Sequence, residues 1–135
     1  AIFQTKGNDT CHVILRGGTS TGPNHDARHV STVSAALKAR GLPDAVMIDC
    51  SHGNSLKDYR RQGEVALSIC LQVASGSRQI FGAMLESHLV EGRQDYVPGK
   101  PAVYGQSITD ACISLEQTEP LLEQFAKAQQ ARTGR

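Results

Sequence analysis

Three side chains that could together hold a divalent metal ion lie far apart in the sequence, at His52, Glu86 and Asp110. One imidazole and two carboxylates suit an ion of borderline hardness, such as Mn, Fe, Co or Zn. Each residue alone has an ordinary alternative: a hydrogen-bonded loop histidine, a salt bridge at a strand end, and a cap on the approach to a helix. The metal-site interpretation therefore depends on the elements that bring the three together.

A possible anion-binding element lies nearer the amino terminus, at Arg16-Gly17-Gly18. The guanidinium group presents a planar fork of donors to phosphate or carboxylate, and two glycines let backbone N–H groups approach an anion closely. The alternative is a tight turn after a strand, with a surface arginine.

His25 and His29 have the spacing of two metal ligands on a helix, but the lack of a third ligand nearby favours a solvated helix face.

Arg16, His52 and Glu86 each follow an apolar run that predicts a strand, and Asp110 lies in the loop after the last of them. The runs are Cys11–Leu15, Ala45–Ile48 and Ile80–Leu85. Continuous apolar character is typical of strands buried on both faces of a parallel sheet. Ligands of parallel α/β folds bind at the carboxyl ends of the strands. We therefore expect Arg16, His52 and Glu86 to face one common region.

Apolar residues at helical spacing predict a helix after each strand. The first helix covers about residues 25–40, the second follows a capping-box-like Ser55–Asp58 and ends at Gly76, and the last begins near Thr118. A long loop rich in Gly and Pro covers about residues 91–110. Three strand–helix units in a row favour a parallel sheet with right-handed crossovers. A barrel and a doubly wound sheet are both compatible with this pattern.

Composition narrows the possible functions. The 135-residue chain is 39% hydrophobic and 20% charged with a net charge of +1, which is ordinary for one globular domain. It has no basic stripe and few aromatic residues, which argues against nucleic-acid binding, and no apolar run long enough for a membrane span. Cys11, Cys50, Cys70 and Cys112 lack zinc-finger or redox spacing. We interpret them as buried reduced thiols, as in a cytoplasmic protein.

Four motifs together resemble the class I 3-deoxy-D-arabino-heptulosonate 7-phosphate (DAHP) synthases. They are His12–Gly18 with Gly22-Pro23-Asn24, Met47–Ser55, Glu86–Gly92, and Tyr104-Gly105 with Ser107–Ile113. The motifs occur in the order of the family and cover almost the whole chain. One departure is Thr19 with Ser20-Thr21, where relatives often have a lysine after the two glycines.

The resemblance implies a TIM (β/α)8 barrel, which needs roughly 250 residues. Residues 1–135 are then the C-terminal part of a single barrel domain and supply its last three strand–helix units. The resemblance also implies that His52, Glu86 and Asp110 are three of four metal ligands. The fourth ligand, a cysteine, and the catalytic lysine belong to the N-terminal half of the family. Arg16 is implied to contact the phosphate of phosphoenolpyruvate.

The reaction implied by the resemblance is the condensation of phosphoenolpyruvate with erythrose 4-phosphate to give DAHP and phosphate, the first step of the shikimate pathway. A cytoplasmic, metal-dependent enzyme of aromatic amino-acid biosynthesis is therefore expected. The sheet edges that a partial barrel leaves exposed predict a homo-oligomer.

Two alternatives stand beside this interpretation. The isolated chain, without the lysine and the fourth ligand, is expected to be inactive, and would then be a non-catalytic fragment that binds anions or associates with itself. An unrelated metal-dependent barrel hydrolase is the other alternative, and Arg16-Gly17-Gly18 argues against it because a hydrolase has no general need for that element.

Overall fold

The computed structural model describes residues 1–134 as a mixed α/β structure with parallel strands, which confirms the predicted class. Its central sheet has the order β1-β2-β3 with all strands parallel. These strands are β1 (Val13–Leu15), β2 (Val46–Asp49) and β3 (Ile80–Met84). The helices are α1 (Ala27–Lys38), α2 (Gln62–Ala74), which follows a 3-10 turn at Tyr59–Arg61, and α3 (Leu115–Thr133).

The core lies where helix side chains cover the central strand. Val46 and Ile48 of β2 are fully buried, and only 1% of the surface of Ile69 in α2 is exposed. Helix α1 contributes Val30, and α2 packs in turn against α3. Among the helices of residues 1–134, none combines the length and the apolar character that a membrane crossing requires.

The first strand is shorter than its apolar run. β1 begins at Val13, two residues after the predicted start at Cys11. The Cys11 side chain is exposed, and the His12 ring packs edge-on against Phe81, with 5.1 Å between ring centroids. Cys11 is therefore an exception to the predicted burial of the thiols, whereas Cys50, Cys70 and Cys112 are buried and free.

Helix α1 begins later than predicted because Asp26 caps it. The Asp26 carboxylate accepts hydrogen bonds from two backbone N–H groups of the first turn, which fixes Ala27 as the first helical residue. His25 therefore lies before the helix and does not share a helical turn with His29. The His25 ring contacts Ser68 Oγ at 3.2 Å, and its burial lowers the pKa of this histidine.

The prediction of a helix cap at Ser55–Asp58 is wrong. Leu56 and Lys57 have φ angles of 54° and 65°, so this segment is a turn in the left-handed region. The helical path begins at Tyr59, where the Asp58 carboxylate accepts a hydrogen bond from the Arg60 N–H group.

The last helix begins three residues before the predicted start at Thr118. Ser114 and Gln117 form a reciprocal capping box, which satisfies two backbone donors that the helix start would leave unpaired. Thr118 is buried instead, and its hydroxyl lies 2.6 Å from the Ser87 hydroxyl. Pro120 lies inside the helix rather than at its first turn.

Short paired strands lie within and on either side of the predicted loop over residues 91–110. β5 (Val90–Arg93) pairs with β6 (Gln106–Ser107) within it, and β4 (Ser87–His88) pairs with β7 (Ile113–Ser114) across its two ends. A bridge between Gly92 and Cys112 joins the two pairs. The segment that carries Asp110 is therefore tied to the residues that directly follow Glu86.

The buried Cys50 thiol is expected to lower the free energy of unfolding as the pH rises in the alkaline range. Burial, with the Asp49 charge beside it, raises the pKa of Cys50 from 9.0 to about 12. Between these values the unfolded chain binds fewer protons, so stability falls as pH rises, by at most about 1.4 kcal/mol per pH unit. We expect urea unfolding at pH 8 to 10.5 to show a steeper loss for the native chain than for Cys50→Ala. The exposed Cys11→Ala control keeps the native slope, and equal slopes for all three proteins would contradict the prediction.

Candidate metal centre

The structure brings together the three residues predicted as metal ligands. His52, Glu86 and Asp110 each offer one ligand atom, and these atoms all lie within 4.8 Å of one another. His52 follows β2 by three residues and Glu86 follows β3 by two, so both lie at the carboxyl end of the sheet. Asp110 is exposed in a bend before β7, while His52 and Glu86 are partly buried. None of the four cysteines joins this group within residues 1–134.

A buried carboxylate orients the His52 ring. Asp49 is 3% exposed, and its Oδ2 atom lies 2.7 Å from His52 Nδ1. Its Oδ1 atom accepts a hydrogen bond from the Ser51 N–H group at 2.7 Å, which fixes the carboxylate in turn. An ionised carboxylate only accepts, so Nδ1 is the ring nitrogen that donates here, and in the neutral ring Nε2 then keeps a lone pair. That Nε2 atom lies 3.6 Å from Glu86 Oε1, which places the free nitrogen inside the ligand group.

Glu86 is held at both its side chain and its backbone. The Ser51 hydroxyl donates a hydrogen bond of 2.6 Å to Glu86 Oε2, which leaves Oε1 toward His52. The Gln62 amide accepts from the Glu86 N–H group at 2.8 Å and donates to the Glu86 carbonyl at 3.0 Å. Gln62 is completely buried at the first position of α2.

The loop after β1 packs directly against the loop after β2. A Cβ atom added at Gly17 would lie 2.6 Å from the Gly53 carbonyl carbon, and one added at Gly53 would lie 2.4 Å from the Gly18 nitrogen. Gly17 also has a φ of +68°, which favours glycine independently of the space. These glycines therefore permit backbone contact between the loop of Arg16 and the loop of His52.

The buried Asn54 side chain joins the two loops by hydrogen bonds. Its amide group donates to the Leu15 carbonyl at 3.0 Å and to the Asp49 carbonyl at 2.8 Å. Its Oδ1 atom accepts from the Asn24 N–H group at 2.7 Å, and Asn24 accepts from the Gly17 N–H group at 2.8 Å. One side chain thus connects the ends of β1 and β2 with the loop that leads to α1.

The predicted anion-binding role of the two glycines is wrong in one respect. The Gly17 N–H group donates to Asn24 Oδ1, and the Gly18 N–H group donates to the Gly22 carbonyl at 3.0 Å. Neither N–H group is free for an anion, because both close the turn. The Arg16 side chain, by contrast, is exposed and forms no ion pair with any residue in 1–134. Arg16 is therefore the side chain of this loop that remains available to an anion.

The sequence pattern indicated the ligands but not the residues that hold them. Gln62 belongs to none of the motifs. Its role depends on how close the start of α2 lies to the end of β3. Asn54 lies in the Met47–Ser55 motif beside His52, but its residue type alone does not indicate that its amide is buried between two loops. Burial raises the pKa of Cys112, whose sulfur lies 3.5 Å from the Asp110 carbonyl, so this neighbouring thiol stays protonated.

These features define a parallel α/β protein with a candidate divalent-metal centre at the carboxyl ends of its strands and a free arginine beside it. The sequence matches the model of the DAHP synthetase I family over residues 1–123. The chain therefore belongs to the DAHP synthetase I family.

Curated relatives and a solved structure agree with this membership. The phospho-2-dehydro-3-deoxyheptonate aldolase of Haemophilus influenzae is 55% identical over 98% of this chain and 36% of that protein. The Phe-sensitive enzyme of Escherichia coli K12 is 52% identical over 99% of the chain and 38% of that protein. The aldolase structure from Francisella tularensis SCHU S4 matches with a TM-score of 0.88 and 52% identity, over 98% of this chain and 38% of that one. The chain thus spans little more than a third of the length of these relatives.

The contacts of Asn54 predict a large effect on stability. Asn54→Ala removes three hydrogen bonds from a buried position and leaves their backbone partners unpaired. We expect a loss of about 3 kcal/mol in the free energy of unfolding, measured by urea denaturation. Asn8→Ala is the control, because Asn8 is exposed and bonds only to neighbouring residues; it is expected to change stability by less than about 0.5 kcal/mol. Equal losses in both variants would refute the role of Asn54 as a link between the loops.

Proposed function

We propose that the protein containing this sequence condenses phosphoenolpyruvate with erythrose 4-phosphate and water, giving DAHP and inorganic phosphate. The observation that carries the proposal is the convergence of His52, Glu86 and Asp110 within 4.8 Å. All three residues lie in motifs that resemble those of the family, and the chain belongs to that family over most of its length.

We propose further that residues 1–135 are the last three strand–helix units of a single TIM barrel domain. The parallel order β1-β2-β3 supports this proposal, because consecutive strands of a barrel wall pair in that order. Both outer strands have one edge without a ladder partner within residues 1–134, and further strands would pair there. We propose homo-oligomeric assembly because of these sheet edges, and a cytoplasmic location because of the family resemblance.

The donor set fits a resident divalent ion. We propose that His52, Glu86 and Asp110 hold Mn, Fe, Co or Zn, since one imidazole and two carboxylates suit these ions. The Nδ1 contact with Asp49 supports the assignment, because it leaves His52 Nε2 with a lone pair in the ligand group. When bound, such an ion supplies Lewis-acid polarisation of the aldehyde oxygen of erythrose 4-phosphate.

Arg16 is proposed to bind the phosphate of phosphoenolpyruvate. Its side chain is exposed, free of ion pairs among the described residues, and located one strand away from the His52 loop. The guanidinium fork matches two phosphate oxygens and neutralises their charge. Asp49 and Asn54 are proposed to act indirectly, because they fix the loops of His52 and Arg16.

A chimaera tests the proposed activity. It carries this chain in place of the matching segment of the Haemophilus influenzae relative, whose remaining portion supplies the rest of the protein. We expect DAHP formation from the two substrates, loss of activity on chelation, and recovery on adding a divalent ion. His52→Ala is expected to lower kcat at least about 100-fold, because it removes a ligand atom.

The matched control for this test is His29→Ala, which removes an exposed histidine that contacts Asp26 on α1 and leaves the centre intact. The 135-residue chain alone is expected to be inactive, and measurable turnover by it would show that the centre needs no further residues. A folded chimaera that makes no DAHP would reject the proposed reaction and favour the alternative of a non-catalytic, anion-binding or self-associating fragment.

The Arg16 assignment makes a separate prediction. Arg16→Ala in the chimaera removes a charge-assisted contact worth about 1.5–3 kcal/mol, so KM for phosphoenolpyruvate rises roughly 10- to 100-fold. Arg16→Lys keeps the charge without the planar fork of donors, so its KM for phosphoenolpyruvate is expected to lie between those of the unsubstituted chimaera and Arg16→Ala. Arg28→Ala, at an exposed arginine of α1, serves as control in steady-state assays. If only KM for erythrose 4-phosphate changed, the assignment of the phosphate would be wrong.

A further inference from the structure

The backbone of Glu86 lies beyond the end of the central sheet. The β2–β3 pairing ends where Asp49 faces Met84, so Glu86 has no partner in that ladder. Its carbonyl accepts a hydrogen bond from the Ile113 N–H group at 3.0 Å. Its N–H group, within the described part of the chain, bonds only to Gln62 Oε1. Without Gln62, this candidate ligand would leave the sheet with an unpaired backbone donor.

The Gln62 amide replaces the missing neighbour strand. It accepts from the Glu86 N–H group and donates to the Glu86 carbonyl, the same pair of contacts that a residue of an antiparallel neighbour strand makes at a hydrogen-bonded position. Gln62 is completely buried, so water does not compete for these bonds. The residue begins α2 directly after the Tyr59–Arg61 turn, and a rigid element therefore fixes its amide.

Two neighbours of Glu86 have different tasks. Ser51 holds one carboxylate oxygen and so selects the orientation of the side-chain end. Gln62 holds both backbone groups and so fixes the direction in which the side chain leaves the backbone. A ligand atom must satisfy both conditions to remain within 4.8 Å of the ligand atoms of His52 and Asp110.

We propose that Gln62 is a positioning residue of the metal centre, which acts through the backbone of Glu86 and does not touch the ion. This inference rests on the proposed function, since it assumes that His52, Glu86 and Asp110 hold a divalent ion. It adds a requirement that lies outside the ligand set: the start of α2 must remain docked on the end of β3.

The test compares two substitutions of the same kind in the chimaera. Gln62→Met keeps the length of the side chain and removes both hydrogen bonds to Glu86. Gln79→Met is the matched control, because the Gln79 amide bonds to Ser34 Oγ at 2.9 Å beside the opposite end of β3. The affinity for Co(II) and Mn(II) is measured by competition with a chromophoric chelator, and the visible spectrum of bound Co(II) reports the ligand geometry.

We expect Gln62→Met to weaken metal binding roughly 10- to 100-fold and to change the Co(II) spectrum. Gln79→Met is expected to bind both ions within about threefold of the unsubstituted chimaera, because a structural loss far from the centre leaves it intact. Gln62→Asn, which keeps a neutral amide but shortens its reach toward the Glu86 backbone, is expected to fall between the two. This variant also keeps the test decisive if Gln62→Met does not fold.

Each contrary result has a distinct meaning. Equal affinities for Gln62→Met and Gln79→Met, with unchanged Co(II) spectra, would overturn the positioning role and leave the proposed metal centre standing. An unsubstituted chimaera that binds neither ion, or that binds them as well after His52→Ala, would overturn the proposed function and the positioning role together.

Discussion

The contact between the backbone at Gly17 and the backbone at Gly53 is the constraint on which the candidate site depends. Added Cβ atoms at these positions would lie within 2.6 Å of main-chain atoms, so the two loops meet without intervening side chains. Asn54 then closes the contact with hydrogen bonds to both strand ends. This arrangement fixes the spacing between the loop of Arg16 and the loop of His52, and thereby between the proposed anion-binding group and one of the proposed metal ligands.

The functional side chains are positioned by residues that perform no chemistry themselves. Asp49 orients the His52 ring, and Ser51 orients the Glu86 carboxylate. Both belong to the segment that ends β2, so one short stretch of chain controls two ligands. Gln62 completes the set from a helix, which ties the centre to the packing of α2 on the sheet. Disturbing the core near α2 would therefore reach the ligands through the Glu86 backbone.

The sequence predicted the strands and the ligands because both follow from local patterns. A continuous apolar run identifies a buried parallel strand, and the polar residue after it lies at the functional end of the sheet. Helix starts were less predictable, since Asp26 and Ser114 form caps whereas the similar-looking Ser55 and Thr118 do not. Asp110 could be assigned only to the long loop after the last strand, because the pairing of the short strands is what places that loop near Glu86. The role of Gln62 depends on the closeness of the start of α2 to the end of β3, which no local pattern in the sequence indicates.

The Ser51 hydroxyl would limit how Glu86 binds an ion. It donates a hydrogen bond to Oε2, so a single carboxylate oxygen faces His52 Nε2. With one donor atom each from His52 and Asp110, residues 1–134 would supply three donors, one fewer than a closed tetrahedral site provides. A fourth ligand to such an ion would therefore come from outside these three side chains, either as another side chain or as an exchangeable oxygen ligand.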